Sequence, residues 1–140
     1  MAGALHEAGT GVGGPLRGAG LLRVVLALQV LLGLVWGISM LFFARQIVLQ
    51  EASGPHLEKI AMEGGAHFTL VLAALLAWRE PRAARNVLLL MIFLNGLWAL
   101  TDLVYIPLVH LTALDFYAKL VVNALLAVGL AAGGRRAGIL

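Results

Sequence analysis

The sequence predicts an all-α integral membrane protein: a four-helix bundle, up-down-up-down, with the N and C termini in the cytoplasm. Three observations lead there. Of the 140 residues, 61% are hydrophobic and only 12% charged, against about 25% charged in ordinary soluble domains. The apolar residues fall in four runs, about 24–44, 62–78, 87–109 and 114–133, and roughly 20 such residues cross a hydrocarbon core of ~30 Å. Finally, the basic residues sit between these runs and mostly on one side of them. Arg17, Arg23, Arg79, Arg82, Arg85, Arg135 and Arg136 fall on that side, against Arg45, Lys59 and Lys119 on the other, which by the positive-inside rule puts both termini in the cytoplasm.

Composition also excludes function classes. A soluble fold of this size would expose the apolar surplus as large patches, so the expected location is a bacterial cytoplasmic (inner) membrane, with lipid as the surrounding partner. Cysteine is absent, which removes disulfides, iron–sulfur clusters and thiolate metal sites. The net charge of +3 is a topology signal; no aromatic-interleaved basic stripe calls for nucleic acid. The P-loop, GxSxG, HExxH and GxGxxG signatures are missing, so no catalytic residue is assigned and no cofactor is required.

Residues 1–20, rich in Gly and Ala without apolar periodicity, read as a flexible cytoplasmic tail ahead of a transmembrane domain over 21–136. The first run is too long for a secretory h-region of about 7–15 residues, and Phe42 stands where cleavage after Ala44 wants a small residue. It reads as an uncleaved helix. Gly33 and Gly37 form a small-xxx-small pair for close helix packing, and Gln29 and Ser39 add hydrogen-bonding capacity.

Residues 45–61 form the longest internal loop. Within it Ser53-Gly54-Pro55 marks a break, and Leu57 to Ala61 begins an interfacial helix. The second span, 62–78, opens with Glu63 and His67, four apart on one face, and ends at Trp78 and Pro81. The third, Val87 to Val109, carries Asn95 and Asp102 two turns apart on one face, with Pro107 set to kink or end it. A connection of only His110 to Ala113 makes the third and fourth helices antiparallel neighbours. The fourth bears Asp115, Lys119 and Asn123 on one face, then Gly129 and Gly133 as a second packing pair. Residues 137–140 are a C-terminal tail.

Counting ~1.5 Å per residue from the outer boundary puts His67, Asp102 and Lys119 at a common depth of ~7–11 Å. Glu63 and Tyr105 lie about a turn nearer the outside and Asn123 a turn deeper. The candidate site is therefore Glu63, His67, Asn95, Asp102, Tyr105, Lys119 and Asn123, walled by Trp98. Intramembrane ionisable groups need partners and commonly mark ion, proton or substrate paths. The expected pairings are Asp102 with Lys119 and His67 with Glu63.

Three functions fit. The cluster is structural in a small accessory or scaffold subunit that packs, through its glycine faces, against itself as a homo-oligomer or against a larger membrane complex. Alternatively it is an outward-facing site for a proton, a small solute or a lipophilic ligand. A third arrangement uses His67 and His110 as axial haem ligands.

A first helix ending in LFFARQIVL, followed by the entry EGGAHFTLVLAALLAWREP and a short basic turn, resembles the small bacterial four-helix membrane proteins of the DoxX-like and BphX-like families. The resemblance covers residues 24–133. It implies a compact four-helix fold and, for some DoxX-like members, association with a quinone-linked redox partner.

Overall fold

The structure, a computed structural model, describes residues 19–44, 54–108 and 114–140. It is all-helical: α1 (Ala19–Phe42), α2 (Gly54–Arg79), α3 (Arg85–Leu108) and α4 (Leu114–Arg136). Each of the four is long and apolar enough to cross a membrane. Residues 1–18 of the segment read as a flexible tail, the 45–53 part of the loop and the connection at His110 lie outside the described residues, while Ala19 and Gly20 of that tail open α1.

α2 starts at Gly54, well ahead of the apolar run, and continues without interruption to Arg79. Pro55 stands in its first turn, where a missing N–H costs no helical hydrogen bond and the fixed φ suits helix entry. Ser53-Gly54-Pro55 therefore leads into a helix. In α3, Pro107 lies in the last turn and the helix ends one residue later, at Leu108.

The helices form a ring in which sequence neighbours are antiparallel. α1 against α2 is the broadest contact, followed by α3 against α4 and α4 against α1, while α2 and α3 approach least. Glycine explains the two contacts that α1 makes. A Cβ on Gly33 would stand 2.7 Å from Val71 Cγ2, and one on Gly64 would stand 3.1 Å from the Gly37 carbonyl oxygen, so α1 and α2 cross backbone to backbone. A Cβ on Gly133 would meet the Leu22 backbone at 2.8 Å, and one on Gly129 would meet Val25 at 2.9 Å. Both small-residue pairs are thus occupied inside the chain, because only glycine lets helices approach this closely.

The α2–α3 turn is tight: the Ala84 amide donates to the Glu80 carbonyl at 3.0 Å and the Leu88 amide to Ala84 at 2.8 Å. The α4 end is capped by Gly138 at φ 68°. Its amide donates to the Arg135 carbonyl, and the Ile139 amide donates to the Gly134 carbonyl at 2.9 Å, the paired bonds of a Schellman cap. Residues 137–140 are thereby folded back, with Ala137 and Ile139 buried.

The half of the bundle nearest Arg23, Arg79, Arg85 and Arg135 is filled by an apolar core in which Leu22, Leu26, Leu88, Met91 and Leu130 are fully buried. The outer faces are apolar as well, with Leu31, Leu72, Leu90, Phe93, Leu125 and Val128 all exposed. A surface of this kind suits hydrocarbon and not water. Polar side chains concentrate inside the other half.

Candidate functional site: a polar cavity shared by four helices

At the end opposite the arginines the helices enclose a cavity of about 400 Å³. Trp36 comes from α1, Glu63 and His67 from α2, Trp98, Thr101 and Asp102 from α3, and Lys119 and Asn123 from α4. The helical repeat explains the contribution of each helix. Glu63 and His67 are one turn apart, as are Trp98 and Asp102, and Lys119 and Asn123, so each pair stacks on a single face.

Five of the seven expected site residues line this cavity: Glu63, His67, Asp102, Lys119 and Asn123. Asn95 lies beneath it, fully buried, where its Nδ2 donates to Gln29 Oε1 at 2.9 Å and to the Met91 carbonyl at 2.8 Å. Tyr105 is one turn beyond Asp102 toward the open end and is 52% exposed, outside the lining.

The pairings differ from the expected ones. The ion pair joins Lys119 Nζ to Glu63 Oε1 at 3.7 Å, and Asp102 stands on the same wall without being the partner at ion-pair distance. Counting residues along a helix fixes depth, but rotation about the axis decides which carboxylate the lysine meets. His67 does not take Glu63 either. Its ring, 4% exposed, sits between two indoles, 5.5 Å from Trp36 and 4.9 Å from Trp98 between centroids, tilted about 50° to each.

Trp36 and Thr101 are lining residues that sequence reasoning passed over. Trp36 falls three residues after Gly33, on the side of α1 that turns inward. Thr101 is adjacent to Asp102; its hydroxyl donates to the Leu97 carbonyl at 2.9 Å, which leaves the oxygen free to accept. Asn123, 5% exposed, makes no hydrogen bond among the described residues and borders the cavity.

Chemically the arrangement offers two carboxylates, one ammonium, one imidazole and one amide around a space walled by indoles. Among the described residues no three His, Asp or Glu side chains converge as ligands for a metal ion. His110, the second haem ligand expected from sequence, lies outside them. Compared with known proteins, the chain matches no family model, no curated protein and no solved structure.

Proposed function

We propose that the chain is an integral protein of a bacterial cytoplasmic membrane, and that its cavity binds a small polar solute reached from the side opposite the cytoplasm. One observation carries this reading: all four helices contribute side chains to a single cavity of about 400 Å³ that gathers Glu63, His67, Asp102 and Lys119. That volume falls in the range of small-molecule sites, roughly 300–1,000 Å³. A charge pair that merely made two helices tolerable to the membrane would need no such space. Apolar packing could close around it.

Orientation follows from the arginines at the far end of the bundle, which the positive-inside rule assigns to the cytoplasm together with both termini. The apolar exterior supports the membrane setting. The rival reading, an accessory subunit docking through its glycine faces, loses its docking surfaces, because Gly33, Gly37, Gly129 and Gly133 already pack within the bundle. Beneath the cavity the Asn95–Gln29 bond and the apolar core close the path to the cytoplasmic end. The resting function is binding from one side, and passage across would require that core to open.

Native mass spectrometry of protein purified from membranes tests this. The wild type is expected to carry a bound small-molecule mass that Asp102→Asn largely loses. A bare polypeptide mass in both, with no shift in Tm across a panel of small solutes, would contradict it.

A further inference from the structure

Resting on the reading of the cavity as a binding site, the lining points to a chemical class. We propose that the occupant is an organic monocation, an ammonium group on a small apolar body, with the ammonium at Asp102 and the body against Trp98 and Trp36.

The imidazole aside, the lining holds two carboxylates against one ammonium. Lys119 stands 3.7 Å from Glu63, so the lining carries one carboxylate more than it has ammonium groups, and Asp102 is the carboxylate outside that ion pair. A carboxylate in a half-enclosed space is stabilised by a counter-charge, and an anionic occupant would meet two carboxylates against one ammonium.

The neighbours of Asp102 add acceptors. Thr101 spends its hydroxyl proton on the Leu97 carbonyl, so toward the cavity it can only accept. Asn123, buried and lacking a hydrogen bond among the described residues, adds an amide that can accept through its oxygen as well as donate through its nitrogen. An ammonium supplies the donors these oxygens lack. Trp98 precedes Asp102 by one helical turn on the same face, and both border the cavity. An aromatic face there attracts a cation and also packs apolar carbon.

The test uses the intact protein in nanodiscs and its intrinsic tryptophan emission, with Trp78→Phe as background because that residue lies away from the cavity. Three probes share one ring: phenethylammonium, phenylacetate and 2-phenylethanol. The expected result is a saturable change with the ammonium alone, weakened at least tenfold by Asp102→Asn and reduced by Trp98→Phe. If phenylacetate or the alcohol binds as well or better, with the response again lost in Trp98→Phe, the cation class is overturned while the binding site stands. If no probe binds, the mass retained in native spectra decides. An amine supports the proposal, an anion or neutral molecule overturns the class alone, and an empty protein overturns both the class and the site.

Discussion

The Asn95 side-chain amide donates to Gln29 Oε1 at 2.9 Å, joining α3 to α1 across the diagonal of the bundle, where the two helices nowhere bring Cα atoms within 8 Å of each other. The same nitrogen donates to the Met91 carbonyl, and both side chains are buried. This rung separates the polar cavity from the apolar core below. It holds opposite corners of the ring together at the cavity floor, while glycine packing supports the two adjacent contacts that α1 makes.

A double-mutant cycle on this pair is the first prediction. Gln29→Leu leaves the Asn95 amide bonded to Met91, whereas Asn95→Leu strands the Gln29 amide in the core. Because Asn95 Oδ1 has no partner among the described residues, losing Asn95 also removes an unsatisfied acceptor, which limits the net cost. Interhelical hydrogen bonds in membrane proteins average about 0.6 kcal/mol and reach about 1.7. Unfolding in mixed micelles should return a coupling in that range, and additive single mutants would refute the bond.

The glycines divide by their surroundings. Gly133→Ala drives a Cβ into the Leu22 backbone, which cannot rotate away, and overpacking of this kind costs about 1–3 kcal/mol. Gly96 and Gly65 have open space where a Cβ would stand, so alanine there is neutral or slightly stabilising through helix propensity. Melting curves in detergent should rank Gly133→Ala below wild type and Gly96→Ala at or above it. The reverse order would mean that α1 and α4 do not pack in this way.

His67 between two indoles has a spectroscopic consequence. The imidazole touches both indoles directly, so His67→Leu should shift the tryptophan emission maximum of the folded protein, and the shift should vanish when Trp36→Phe and Trp98→Phe leave Trp78 as the reporter. An emission maximum that His67→Leu leaves unchanged would place the imidazole away from Trp36 and Trp98.

Much of the bundle was legible because a chain crossing hydrocarbon must be apolar over a fixed length, and all four runs announce themselves. The onset of α2 was not, since Gly54 and Pro55 serve equally as a break and as a helix start. Depth was legible at the site: His67, Asp102 and Lys119 could be counted to one level. Azimuth was not: spacing along the helices does not show that Lys119 faces Glu63 rather than Asp102, or that Trp36 turns toward the cavity. Gly33 and Gly129 were recognisable as packing residues, but a small-xxx-small spacing does not say whether the facing helix belongs to the same chain. The Schellman cap had a local signal, Gly138 followed by an apolar residue, in what read as a tail.

A water-accessible cavity that opens on the side away from the arginines can be probed by site-directed labelling, since the sequence has no cysteine of its own. Thr101→Cys borders the cavity, while Phe93→Cys, two turns below on the same helix, faces outward at 62% exposure. With a membrane-impermeant maleimide applied to intact cells, position 101 should label and position 93 should not. Labelling of position 101 only in inside-out vesicles, or at neither position from either side, would contradict it.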